Sequence, residues 1–341
     1  MTGKMAPMTP ATMPLPRSRA EDRVEQPILG IDIGGTKMAV GLVDAQGNVL
    51  ISGRTPSPAR GRAEDMYGAL VALCDSVMAE GGEPQLRGVG IGSAGPMTWP
   101  DGVVSPNNIT AWRGFPLRRM LKQKFPGVPV RIHNDAVAMA IAEHWKGAGA
   151  GYDNVLGMVV STGVGGGLII NGQVINGGLG NAGHIGHLVV DPDGPICPCG
   201  GRGCLETIAR GPAIAAWAVE QGWTPHDSSS PADARTLATD AANGDLIAIV
   251  AYERAGEAVG VALASVAALL DLDLAVIGGG LVQSGELLMS PMRKAFEAHA
   301  GFAFVKRLQI VPAALDQDAG IVGAAALIAE GDRYWTPSDD E

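Results

Sequence analysis

Aromatic residues make up only 4% of the 341 and charged residues only 18%. With so few rings, the core has to be built from small aliphatic side chains packed between close backbones. Low charge beside 46% hydrophobic residues excludes a disordered chain and a coiled coil. Cations are the minority, with 25 Lys and Arg against 35 Asp and Glu for a net charge of −10. That balance excludes the basic face a nucleic-acid partner would require. The four cysteines exclude a disulfide scaffold in a chain of this length.

Long apolar runs are missing as well. Ala258–Leu270 is the longest apolar helical run, short of the roughly 20 residues that cross a bilayer. Residues 1–27 hold Lys4, Arg17, Arg19 and Arg23 among Pro, Met and Thr, without the apolar stretch of a leader peptide. The expectation is a cytoplasmic protein with an unstructured tail over 1–27, and neither a membrane nor a nucleic acid as partner.

Glycine, by contrast, is abundant: 49 residues, about twice the usual share. At roughly 150 residues per domain the length predicts about two domains. Apolar strand patterns at Ile28–Ile33, Met38–Val43 and Val49–Arg54 precede a helical pattern carried by Met66, Leu70, Leu73, Cys74 and Val77. Strands at Leu86–Ile91 and Val128–Ile132 flank a Gly/Pro/Asn-rich loop reaching about residue 115, and a helix is predicted from Asp135 to Trp145. This alternation predicts an α/β sheet.

The second half begins as the first does. Residues 28–37, ILGIDIGGTK, align with 155–164, VLGMVVSTGV, and each run continues into another strand and a Gly-containing turn. Any two glycine-rich hairpins look alike, but here strand register and turn position both match, which predicts duplicated halves facing each other across a cleft.

Asp32-Ile33-Gly34-Gly35-Thr36-Lys37 and Ser161-Thr162-Gly163-Val164-Gly165-Gly166-Gly167 are the corresponding turns. Glycine lets backbone N–H groups come close to phosphate oxygens, and a carboxylate at the strand end suits Mg²⁺. No Asp, Glu, Lys or Arg occurs between Asn154 and Gly183, which leaves that span hospitable to a polyanion. Gly90-Ile91-Gly92-Ser93-Ala94-Gly95 matches a dinucleotide fingerprint in letters, yet Pro96, Thr98, Pro100 and Gly102 follow where a helix should open. His133-Asn134-Asp135 stands at a strand end before a helix: Asp135 is a candidate general base, and Asn-Asp reads equally as a helix cap.

The most specific local pattern is His187, Cys197, Cys199 and Cys204, four soft or imidazole donors within 18 residues. That set suits a closed tetrahedral Zn²⁺ site whose role is structural: it pins the loop carrying His184 and Glu206.

These motifs resemble the ROK family of bacterial sugar kinases and sugar-responsive repressors across residues 28–331. The family pattern Gly-x-x-Gly-His, then Cys-x-Cys-Gly-x-x-Gly-Cys-x-Glu, stands here as Gly183-His184-Ile185-Gly186-His187 and Cys197-Pro198-Cys199-Gly200-Gly201-Arg202-Gly203-Cys204-Leu205-Glu206. The resemblance implies an α/β, actin-like ATPase fold of two ribonuclease-H-like lobes around a cleft. Residues 28–133 with 318–331 would form the smaller lobe, and 134–317 the larger one with the zinc loop. It implies phosphate contacts from Asp32, Gly34, Gly35, Thr36 and Lys37 and from Thr162, Gly163 and Gly165. Adenosine would lie near Gly278 and Gly279. Asn108, Asn134, Asp135, His187 and Glu206 would contact sugar, with Asp135 as catalytic base.

The implied reaction moves the γ-phosphate of Mg·ATP to the 6-hydroxyl of a hexose or hexosamine, with Mg²⁺ and structural Zn²⁺ as cofactors. A homodimer or homotetramer is implied as well. One position departs: most family sugar kinases carry Glu where His184 stands. The Gly-His-Ile-Gly-His form resembles bacterial N-acetylmannosamine kinases, so N-acetylmannosamine and glucose lead as substrates, with another amino sugar or a cyclitol as alternatives. Polyphosphate remains an alternative donor. A family repressor would carry some 60 residues of helix-turn-helix before the first hairpin, whereas 27 precede Ile28 here.

Overall fold

The computed structural model describes residues 26–58, 61–315 and 317–337. Apart from Gln26 and Pro27, the tail expected over 1–27 lies outside the described residues.

The chain opens with β1 (Ile28–Ile33), β2 (Lys37–Val43) and β3 (Val49–Pro56), then α1 (Ala63–Glu80) and β4 (Gly88–Ser93). A small hairpin of β5 (Met97–Thr98) and β6 (Val103–Val104) leads to α2 (Leu117–Lys124) and β7 (Val130–Asn134). These form a five-stranded sheet of order β3-β2-β1-β4-β7. Helix α3 (Asp135–Lys146) then carries the chain into β8 (Val155–Val160), β9 (Val164–Ile170) and β10 (Gln173–Val174). After α4 (Glu206–Ala209), α5 (Gly211–Glu220), α6 (Ala234–Ala242) and α7 (Leu246–Leu270) come β11 (Leu274–Gly278), α8 (Glu286–His299), α9 (Ala303–Lys306) and β12 (Gln309–Pro312). The second sheet, β10-β9-β8-β11-β12, repeats the order of the first. The chain closes with α10 (Ala319–Ala329) and α11 (Gly331–Tyr334).

The repeat predicted from the aligned glycine turns is therefore a repeat of topology. In each half an antiparallel hairpin is followed by strands added in parallel. This is the α/β, actin-like architecture expected from the sequence.

The glycine excess has a packing cause. Helix α10 lies on the first sheet so closely that a Cβ on Gly90 would stand 1.8 Å from the Ala324 carbonyl oxygen. Helix α3 does the same on the second sheet, where a Cβ on Gly157 would meet Ala140 Cβ at 2.4 Å. The two helices also press on each other, with Gly323 against the Ala138 carbonyl. A glycine stripe on each sheet thus admits one helix, and the paired helices join the halves. Any side chain at Gly90 or Gly323 would force backbones apart.

Several boundaries differ from expectation. β4 and β7 each end about two residues later than the apolar pattern suggests, because Gly92, Ser93, His133 and Asn134 read as loop residues. They are held in the ladder by the pairs Asp32↔Gly92, Ile33↔Ser93, Gly92↔His133 and Ser93↔Asn134. The expected Ala258–Leu270 helix starts earlier, at Leu246, where the Asp245 carboxylate accepts the Ala248 N–H as an N-cap. No helix among the described residues is long and apolar enough to cross a membrane.

Candidate active site and a cysteine–histidine cluster

Asp32 leaves the end of β1, and Asp135 opens α3 directly after β7. Between those strands lies β4, where a Cβ on Gly92 would stand 3.8 Å from Asp32 Oδ1 and 3.6 Å from Asp135 Cα. Both residues are largely buried, with only part of each reaching the surface. Burial and the neighbouring Asp135 charge push Asp32 up to about 7, against the pull of Lys37 and Arg54. Burial pushes Asp135 up to about 6, opposed by its hydrogen bond from the Ala136 N–H. Two adjacent carboxylates that resist ionisation together are suited to a cation on one and a proton on the other.

Asn134 caps α3, its Oδ1 accepting the Ala136 N–H at 3.0 Å. The cap reading and the site reading of Asn134-Asp135 thus coexist, because capping fixes the turn that presents Asp135. The second hairpin abuts the same turn, where a Cβ on Gly165 would meet Ala136 Cβ at 2.8 Å. The first hairpin carries Gly34, Gly35, Thr36 and Lys37 beyond Asp32, with Thr36 and Lys37 exposed. Asn108 lies over this hairpin, since a Cβ on Gly35 would fall 2.4 Å from its Nδ2.

On the opposite side, Glu206 Oε2 accepts the Val164 N–H at 2.9 Å and sits against Gly163, while Thr162 is exposed beside it. Gly278 ends β11 next to Gly279, whose φ of 97° and whose contact with the Val160 carbonyl both demand glycine. Gly278 and Gly279 therefore border the second hairpin. His184 and His187 face each other with ring centroids 6.0 Å apart. Burial, and then His187, lower the basicity of His184 although Glu206 favours its charge. Its Nε2 is buried without a hydrogen-bond partner among the described residues. The ring lies beside Gly95, where a Cβ would stand 3.7 Å from His184 Cε1 and 2.6 Å from Asn134 Nδ2.

His187, Cys197, Cys199 and Cys204 place one ligand atom each within 4.8 Å of the others. Cys199 Sγ and Cys204 Sγ are 3.7 Å apart, and Cys197 Sγ is 3.7 Å from His187 Nδ1. A tetrahedron of about 2.3 Å Zn–S bonds has edges of about 3.7 Å, so the geometry fits zinc. The His187 ring presents Nδ1 to the cysteines, which leaves Nε2 for its other side. Cys74, the remaining cysteine, is buried in α1.

Two contacts escaped sequence reasoning. Arg54 on β3, whose charge reaches Asp32, pairs with Asp318 at 2.5 Å across 264 positions. His133, buried and lowered to about 4 by burial, is 2.8 Å from Asn176 Oδ1 and accepts the Asn134 N–H, which fixes the turn before Asp135. Neither partner lies near enough in sequence to leave a local signal. The glycine run of residues 90–95 enters the β5–β6 hairpin rather than a helix, so no dinucleotide fold forms there.

Comparisons with known proteins agree with this geometry. The ROK family model matches residues 28–330. A glucokinase of Thermotoga maritima is 34% identical over 314 residues, covering 89% of this chain and 97% of that one. An N-acetylmannosamine kinase of Shigella flexneri is 37% identical over 307 residues, covering 90% and 99%. The crystal structure of a ROK family glucokinase from Streptomyces griseus, in complex with glucose and AMPPNP, superposes with a TM-score of 0.78 at 34% identity, covering 88% of this chain and 98% of that one. The chain belongs to the ROK family and is a sugar phosphotransferase.

Proposed function

We propose that this kinase transfers the γ-phosphate of Mg·ATP to the primary hydroxyl of a hexose or N-acylhexosamine, with N-acetylmannosamine ahead of glucose. One observation carries the reading: both glycine hairpins adjoin the site where Asp135 opens α3, with Asp32 beside it across Gly92.

Asp135 takes the hydroxyl proton as the sugar oxygen attacks the terminal phosphorus, and the leaving diphosphate carries away the charge. The proton ends on Asp135, whose burial makes it basic enough to hold it. Backbone N–H groups of Gly35 and Thr36 on the first hairpin and of Thr162 and Gly163 on the second would hold the phosphate tail, and Lys37 adds a cation. Positioning and charge neutralisation supply most of the acceleration in phosphoryl transfer. Asp32 would help hold Mg²⁺, which would neutralise charge on the donor phosphates. Residues 28–133 with 318–331, and residues 134–317, would then act as two lobes closing on sugar and nucleotide.

Asn108, Asn134, His187 and Glu206 would surround the sugar with His184. A carboxylate in place of His184 could only accept hydrogen bonds, whereas a neutral imidazole offers one donor and one acceptor. An unpartnered His184 Nε2 therefore favours a substrate group able to pair with it, such as the acyl oxygen of an N-acylhexosamine. A panel of hexoses, N-acylhexosamines and cyclitols, scored by ADP release, tests this. H184E is expected to lower the ratio of kcat/KM for N-acetylmannosamine over glucose by about tenfold or more. An unchanged ratio would remove His184 from the sugar site. Running the same panel with polyphosphate identifies the donor.

The cysteine–histidine cluster would hold zinc with all four positions filled, a structural site that fixes the loop between His184 and Glu206. Metal analysis should find about one zinc per chain, lost in C204S along with a lower melting temperature and a raised sugar KM. A zinc-free wild type with normal sugar affinity would defeat this assignment.

A further inference from the structure

The two glycine hairpins differ in charge. The first ends in Lys37, but the second lies within a span from Asn154 to Gly183 that holds no charged residue at all. A polyanion lying between them would meet a cation on one side only. The second hairpin has a neighbour that supplies the missing charge. The Gly211 N–H donates to the Ser161 carbonyl at 2.8 Å, tying the start of α5 to that turn. The residue immediately before Gly211 is Arg210.

Arg210 is half-buried, and its Nε–H is buried without an acceptor. Among the described residues no carboxylate pairs with its guanidinium. A buried guanidinium donor normally has a partner, and one left open is costly to the fold. Such a group is retained without penalty where a ligand completes it. Next to the arginine, the ten-residue helix α5 points its positive end toward the same turn. Gly279 and Gly280 also border the turn, a Cβ on the latter standing 3.6 Å from Ser161 Oγ. The turn has no charged residue of its own, the Glu206 carboxylate lies against its Gly163 end, and its Ser161 end is tied to the chain directly after Arg210, whose Nε–H is unsatisfied; a cation on that side suits the phosphate tail of a nucleotide.

We infer that Arg210 is a ligand of the donor's phosphate chain, the counterpart on the second hairpin of Lys37 on the first. The inference rests on the reading of that hairpin as a phosphate holder. Arginine suits the role because its planar fork meets two phosphate oxygens at once, which lysine does not.

The test is equilibrium binding of a non-hydrolysable ATP analogue, ADP and adenosine to the wild type, R210M and R210K, with melting curves alongside. Methionine keeps the buried stem while removing the unpaired donor. R210M should weaken the ATP analogue by about ten- to hundredfold, with R210K in between. Adenosine affinity and sugar KM should stay within about twofold, and the melting temperature should hold or rise, because no protein partner is lost. Undiminished affinity in folded R210M overturns the role of Arg210 alone. A lower melting temperature with an equal loss for adenosine and ATP assigns the arginine to packing and also overturns it. Should the wild type bind neither ATP analogue nor polyphosphate, the phosphate reading of the hairpin falls with it.

Discussion

Replacing Asp135 with Asn should cut kcat by about 10²–10⁴-fold, the usual worth of a positioned base, while sugar affinity changes only a few-fold. Asparagine keeps the size, and Asn134 still caps α3, so the turn that presents the side chain survives. Only the capacity to accept a full proton is lost. The pH profile separates this from a general structural defect. Burial holds the Asp135 carboxyl at about 6, so wild-type kcat/KM should fall roughly tenfold per unit below pH about 6 as the base becomes protonated. Asp32, at about 7, is close enough that the two titrate as a pair, and bound Mg²⁺ favours ionised Asp32. In D135N the residual rate should lose the lower acid limb. Near-normal turnover, or an acid limb unchanged in position, would exclude Asp135 as the base. Parallel loss of sugar binding and melting temperature would show a folding defect instead, and D135E would then test whether a carboxylate restores turnover.

Much of this site was legible because its parts are local. The hairpin of residues 32–37 and its echo at 161–167 each need only a strand, a glycine turn and a strand, all within a dozen residues. The cysteine–histidine cluster is likewise confined to 187–204, so its spacing alone suggested metal. The ends of β4 and β7 leave no apolar signal because Gly92, Ser93, His133 and Asn134 have the chemistry of loops, and only ladder pairing with β1 and β4 keeps them extended. The start of α7 was hidden for a different reason. Exposed Glu253 and Glu257 interrupt its apolar run, although the buried stripe of Ala248, Ala251, Tyr252 and Ala255 continues beneath them. Arg54 with Asp318, and His133 with Asn176, were out of reach because they depend on how the halves meet. The close approach of α3 and α10 belongs to the same class. Glycine abundance signalled tight packing, but only the folded chain shows that Gly323 rests on Ala138.

Asp32 yields the second large effect, one in which activity and stability move in opposite directions. Its carboxyl is raised from the ordinary 3.8 to about 7, by burial first and by Asp135 second. A raised carboxyl binds more protons folded than unfolded, so its contribution to stability is fully present below about pH 4 and is lost as pH rises through about 7. At pH 8 the metal-free protein bears the whole cost of ionising Asp32 beside Asp135. A shift of this size corresponds to at most about 4 kcal/mol, and solvent reaching the partly exposed residue lowers it to about 1–2 kcal/mol. D32N removes that cost. Metal-free D32N should therefore melt about 2–6 °C above the wild type at pH 8, with the difference gone near pH 4, while turnover drops by at least about a hundredfold. Added Mg²⁺ should raise the wild-type melting temperature at pH 8, less at pH 5.5, where a proton competes for the same oxygen, and leave D32N unmoved. The assignment depends on that opposition. If D32N melted at or below the wild type at pH 8, Asp32 would be an ordinary structural carboxylate with its charge already compensated by Lys37 and Arg54, and the cation would have to be held elsewhere.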